Sequence, residues 1–147
     1  MRTLLYDGEC GFCRWVLAGI LRRDRHRRIR PVALQDALAA ELLPGMSDED
    51  RFSSFHLVDR DGEILSGGSA LPALLAELPR GRRIGVLLGT LQPVTDLGYR
   101  LVSANRSRIG PLIPDRWKAS ADERIGRRQA QLEGDPVEEA ARDLSRV

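Results

Sequence analysis

The chain contains two cysteines, Cys10 and Cys13, and both lie in the stretch YDGECGFC. Three chemistries suit this spacing: a dithiol that cycles through a disulfide, half of a metal site, or two small buried residues that lie close by coincidence. Placement at the start of a helix favours the first. Unpaired backbone N–H groups and the helix dipole stabilise an anion there and lower a free thiol from its usual pKa of about 8.5. Arg14, four residues after Cys10, adds to that field, while Asp7 and Glu9 oppose it. Cys13 falls on an apolar stripe with Val16 and Leu17, where burial raises a thiol pKa. The expected division is an accessible nucleophile, Cys10, and a shielded resolving thiol, Cys13.

The alternatives have weaker support. A structural zinc takes four ligands, and His26 and His56 have no ligand spacing to the cysteines or to each other. A CxxC half-site completed across a dimer stays as an alternative; otherwise neither a metal nor a bound cofactor is expected. Two inert core cysteines fit poorly, because Cys10 lies in a Gly-rich polar turn. His56 alternates with Phe55 and Leu57 and reads as structural. His26 lies in a charged loop and reads as solvated.

The elements that must position the pair follow from periodicity. RTLLYDG reads as a short buried strand ending at Asp7-Gly8. From Gly11 the period changes: Cys13, Val16, Leu17, Ile20 and Leu21 share one helix face. IRPVAL reads as a second strand parallel to the first, with the helix as its crossover. QDALAAELLPG is a short helix stopped by Pro44-Gly45, and MSDEDRF is polar and loop-like. SSFHLVDRDGEILSGG reads as a hairpin turning at Asp61-Gly62. A helix follows, with Ser69 as its expected N-cap and Pro72 in its first turn. The order β-α-β-α-β-β-α is that of an α/β thioredoxin-like core. Beyond Pro79 the pattern is helical, giving additional C-terminal helices.

Composition bounds the rest. A chain of 147 residues with 42% hydrophobic content buries one good core. The expected organisation is one domain over residues 1–118 and a charged tail over 119–147, marginally helical or mobile and dispensable for folding, with sparse Ile125, Leu132, Val137 and Leu144. A net charge of +2 among 30% charged residues is too even for a dedicated nucleic-acid binder. The arginines between Arg22 and Arg30 read as a solvated helix end, and Trp15 as a core or helix-packing residue. The apolar stretches 16–21 and 84–91 fall far short of the roughly 20 residues that span a bilayer, and Met1-Arg2 is followed by too few apolar residues for a signal-peptide core. The expectation is a cytoplasmic protein with no membrane span, a setting in which a structural disulfide is disfavoured.

At YDGECGFCRWVLAGILRRD the sequence resembles the DCC family of thiol-disulfide oxidoreductases, named for a D-x-x-C-x-x-C motif, here Asp7, Cys10 and Cys13. The similarity continues through PVALQD, FHLVDRDGEILSGGSAL and DLGYRLVSANRSRIG, covering roughly residues 3–113. The resemblance implies a thioredoxin-like fold and thiol-redox activity on a disulfide- or thiol-containing substrate, with a separate electron donor. It also implies that Asp7 is a site residue, either accepting the Cys13 proton through water or organising the turn by bonding backbone N–H groups. Gly8 is expected to supply a backbone conformation that other residues resist. Thioredoxins proper place a cis-proline before the third strand, whereas Ser53 and Ser54 stand there in this chain, so substrate docking differs. A small thiol, a dedicated partner and a peroxide are all open as substrates. The rivals to the redox enzyme are a non-enzymatic interaction module on the same fold, a metal-binding protein, and an arginine-mediated binder of nucleic acid or an acidic partner.

Overall fold

The computed structural model describes residues 1–133. Strand β1 (Arg2–Tyr6) sends Leu4 and Tyr6 to one face of the sheet and Leu5 to the other, the alternation of a strand covered on both sides. Helix α1 (Gly11–Arg23) then crosses over to β2 (Ile29–Ala33), which runs parallel to β1 with Leu4 opposite Pro31. Helices α2 (Ala37–Leu42) and α3 (Asp48–Ser53) lead to the antiparallel hairpin of β3 (His56–Val58) and β4 (Ile64–Ser66). The sheet order is β2-β1-β3-β4. Pro31 is tolerated because β2 is an edge strand and its missing N–H costs no ladder bond on the open side.

A 3-10 turn (Gly67–Ala70) opens into α4 (Leu71–Ala76), followed by α5 (Gly81–Thr90), α6 (Gln92–Ile109) and α7 (Asp115–Glu133). This mixed α/β arrangement, four strands and seven helices among the described residues, is consistent with the expected thioredoxin-like fold. The core forms two layers. On one face of the sheet, Leu4, Tyr6 and Leu57 pack against Leu17 and Leu21 of α1 and Leu74 of α4. On the other, Leu5, Val32 and Val58 pack against Leu34, Ala39 and Leu43.

Several local expectations change. The stretch read as a polar loop contains α3: the Ser47 hydroxyl oxygen accepts the Asp50 N–H at 3.1 Å, and Asp48, Glu49 and Asp50 fill a first turn where the dipole favours acids. Ser69 sits inside the 3-10 turn instead of capping α4, and its hydroxyl donates to the Ser66 carbonyl at 2.7 Å. Of the two roles expected for Trp15, core or helix packing, it takes the second: it is 39% exposed and stacks on Trp117 with ring centroids 6.4 Å apart. It packs α1 against α7 at their surface. Both expectations for histidine match the structure. His56 is buried, held between the Ser66 hydroxyl at 2.7 Å and the Arg51 carbonyl at 2.9 Å, and His26 is exposed.

The expected boundary after residue 118 falls within α7. Ala121, Ile125, Arg128 and Leu132 are buried, at helical spacing, on the face turned to the domain. Arg128 Nη1 lies 2.7 Å from Asp24 Oδ2, and its guanidinium also donates to the Leu21, Asp24 and Ile29 carbonyls at the end of α1 and the start of β2. The rest of the expected tail, including Val137 and Leu144, lies outside the described residues.

Candidate functional site

Cys10 is the N-cap of α1. Its backbone is extended (φ −80°, ψ 106°), and its Sγ accepts the Cys13 N–H at 3.2 Å. This is the position where Ser, Thr, Asp and Asn normally serve, because an acceptor there satisfies one of the helix's free N–H groups. The Cys13 thiol donates to the same sulfur, with Sγ to Sγ 2.6 Å. Two donors converge on Cys10 Sγ. Both cysteines are free thiols and both are half-buried, so they are not divided into one exposed and one buried residue.

The two thiols differ in environment. Burial pushes the Cys13 thiol up to about 12, and its hydrogen bond to Cys10 and the Cys10 charge push in the same direction. The Arg106 guanidinium pulls it down, and Asp7 adds a small upward push. The raised pKa expected of Cys13 is therefore present, while its cause includes Cys10 itself.

Asp7 sits in the turn between β1 and Cys10. Its Oδ1 accepts the Glu9 N–H at 3.0 Å and the Gln35 side-chain N–H at 2.9 Å. The Gln35 carbonyl oxygen in turn accepts the Gly8 N–H at 3.0 Å. A single amide from the loop after β2 thus ties together Asp7 and Gly8 in the turn before the cysteines. Gly8 does not take the special backbone conformation expected of it. Its φ is not positive, but a Cβ there would approach Gln35 Oε1 to 3.1 Å and Ala33 Cβ to 3.3 Å.

Arg14 does not act on the cysteines alone, because its guanidinium pairs with Asp122 of α7 at 3.2 Å. Sequence reasoning missed Gln35, Arg106 and Lys118. The Lys118 stem passes over the first turn of α1, its Cε 3.6 Å from where a Gly11 Cβ would be. Gln35 lies within the PVALQD stretch, but no local pattern singles it out. Arg106 and Lys118 carry no local signal, since each reads as one more charged residue on a helix.

Cys13, with Tyr99 and Arg106, also lines an apolar cavity of about 550 Å³ between α1, α4 and α6. Ser54, at the place of the absent proline, lies on its wall. Among the described residues no three His, Cys, Asp or Glu side chains cluster as metal ligands. No helix among them is long and apolar enough to cross a membrane.

The model of the DCC1-like thiol-disulfide oxidoreductase family matches residues 4–111, well over half of the chain, including Asp7, both cysteines, Gln35 and Arg106. Helix α7, with Lys118 and Arg128, lies beyond the matched stretch. Neither a curated protein nor a solved structure matches the chain.

Proposed function

We propose, for a chain that belongs to the DCC1-like thiol-disulfide oxidoreductase family, a dithiol-disulfide exchange in which Cys10 attacks and Cys13 resolves. The observation that carries this reading is the pair of hydrogen bonds converging on Cys10 Sγ from the Cys13 N–H and S–H at the start of α1. Cys10 Sγ is thus the accepting sulfur of the pair at the head of the helix, and the thiolate is the attacking species in exchange.

The steps balance without a bound cofactor. The Cys10 thiolate attacks one sulfur of the substrate disulfide, and a Cys10–substrate disulfide forms as the first product leaves as a thiolate and takes a proton. The Cys13 thiol then loses its proton and attacks Cys10 Sγ, so that the Cys10–Cys13 disulfide forms and the second product thiol departs. Two electrons pass from the dithiol to the substrate, and a separate electron donor restores the dithiol.

Cys13 needs help to ionise, because its neighbours hold the proton on it. Once Cys10 is consumed in the mixed disulfide, its negative charge and its thiolate acceptor both disappear. Two of the causes that raise Cys13 go with them, and the pull of Arg106 remains. Asp7 acts through its hydrogen bonds to Glu9 and Gln35, holding the turn that delivers Cys10 to the helix end.

Trapping tests the assignment. In the reduced protein at neutral pH, iodoacetamide modifies Cys10 first. Cys13→Ser accumulates a mixed disulfide through Cys10, and Cys10→Ser traps much less. Equal alkylation of the two thiols, or preferential trapping through Cys13, reverses or removes the roles. Failure of the wild-type pair to form an intramolecular disulfide under mild oxidation ends the redox reading.

A further inference from the structure

The cavity beside Cys13 has features that the exchange chemistry does not require. Phe12 and Leu17 of α1, Leu74 of α4, Leu88 of α5 and Val94 and Tyr99 of α6 make its wall almost wholly apolar. Its volume of about 550 Å³ is within the range of roughly 300–1,000 Å³ typical of pockets that enclose small organic ligands. Around the mouth Val16, Leu91, Val94 and Val102 stand between 38% and 66% exposed. Contiguous apolar surface of this kind marks a place that something apolar covers.

Gly98 shapes the same wall. It lies in the middle of the 18-residue helix α6 and faces the cavity. Glycine inside a helix costs about 1 kcal/mol relative to alanine. Gly85 of α5 has a packing reason, since a Cβ there would come within 2.6 Å of the Pro72 carbonyl oxygen. At Gly98 a Cβ would meet nothing within 4 Å. Packing does not require this glycine; its effect is to leave the cavity wall open.

Arg106 supplies the charge. It lines the same cavity and its Nη2 donates to the Phe52 carbonyl at 2.9 Å, yet among the described residues no carboxylate lies within ion-pair distance of it. Asp7, the acid on the lining, is engaged by Glu9 and Gln35. A half-buried guanidinium in an apolar wall without an anion is complementary to a ligand that brings one.

We propose that this cavity binds the substrate, and that the substrate is an amphiphilic organic disulfide whose apolar chain fills the cavity and whose acidic head pairs with Arg106. The redox part of this statement rests on the exchange reading above; the binding part does not. In the exchange, the ligand's S–S bond breaks and accepts two electrons, the Cys10–Cys13 bond forms, and the Cys13 proton and one proton from solvent end on the two product thiols. A small dithiol reductant such as dithiothreitol closes the cycle in an assay.

Sodium dodecanoate has the chain and the head but no sulfur, so its binding is blind to the cysteine chemistry. Titrated below its micelle concentration into the reduced full chain and followed by calorimetry, it should bind saturably at one site. Gly98→Leu should weaken it ~tenfold or more. Gly126→Leu makes the same change on α7, where a Cβ also meets nothing within 4 Å and no cavity wall is involved, and should leave binding within about twofold. Arg106→Gln should weaken dodecanoate but not dodecanol. In turnover, the symmetrical disulfide of mercaptoundecanoate should be preferred over bis(hydroxyethyl) disulfide, and Gly98→Leu should erase the preference.

Absence of saturable dodecanoate binding, or equal effects of the two glycine replacements, overturns the inference. So does equal co-sedimentation of both variants with phosphatidylglycerol vesicles in the absence of one-site binding, which would assign the apolar rim to a membrane surface. Dodecanoate bound by a protein whose Cys13→Ser form traps no mixed disulfide would keep the ligand class of the cavity and remove the exchange reading.

Discussion

Arg128 Nη1 lies 2.7 Å from Asp24 Oδ2, and both side chains are buried, which fastens α7 to the far end of the helix that starts at the cysteines. Asp24 also accepts the Arg28 and Ile29 N–H groups at 3.0 Å, and Arg128 satisfies three carbonyls around it. A buried pair of this kind adds little over an apolar replacement of both partners, but removing one partner strands the other charge and costs about 3–5 kcal/mol.

Arg128→Leu should therefore lower the unfolding free energy by about 3–5 kcal/mol in urea denaturation. Truncation after Lys118 removes the same pair together with Ala121, Ile125 and Leu132, and should cost at least as much. The folded unit then extends through α7. An unchanged transition in the truncated chain would return residues 119 onward to the status of a dispensable tail.

His56 should make stability depend on pH. Burial lowers its pKa from the usual 6.5, with the Arg51 carbonyl opposing weakly. Below that value the unfolded chain binds a proton that the folded chain resists, so stability is full above about pH 6.5 and declines as pH falls through it. Denaturant midpoints measured at pH 5 and pH 7 should differ for the wild type. The difference should shrink in His56→Leu, and an unchanged slope there would assign it to other groups.

Cys13 should impose the opposite dependence at the alkaline end. Its thiol is raised from 9.0 to about 12, so the folded protein keeps a proton that the unfolded chain releases. That contribution is complete below the unfolded value and is lost as pH rises through the folded one. The reduced protein should lose stability between about pH 9 and pH 12, and Cys13→Ala should lose less. Alkylation at Cys13 should stay slow until the same range, and rapid modification near neutrality would contradict the raised value.

Asp7 offers a choice between two roles that separate cleanly. Asn keeps the Oδ1 acceptor used by Glu9 and Gln35 but cannot take a proton as a carboxylate does. Under the turn role, Asp7→Asn should resolve a Cys10 mixed disulfide within a few-fold of the wild-type rate, while Asp7→Ala and Gln35→Ala should both slow formation of that intermediate. Stopped-flow release of the second thiol would show the difference. An Asn replacement as damaging as Ala would favour the proton-accepting role.

The sequence by itself determined what depends on near neighbours. The apolar run Leu4–Tyr6, ended by Asp7-Gly8, specifies a short buried strand, the period change at Gly11 starts α1, and Asp61-Gly62 turns the hairpin, where Gly62 takes φ +82°. The placement of Cys10 at the head of a helix also follows from this local pattern, and so does the CxxC spacing that, with the family match, supports a redox role. Helix α3 was overlooked although its signal is local too, a Ser47 cap followed by three acids.

What only the tertiary structure decided is which charged side chains are in water and which are in the site. Arg106, Lys118 and Arg128 look alike along the chain, each a cation on an amphipathic helix. Their partners are 54 residues away for the Phe52 carbonyl, over 100 for Asp24, and across a helix interface for the turn at Gly11. Residues 119–133 looked like a tail because apolar residues are sparse in them; Arg128 occupies a position on their buried face, and an arginine is buried only where acceptors converge on it. That convergence, like the open wall at Gly98, is a property of what packs opposite. No spacing within one helix encodes it.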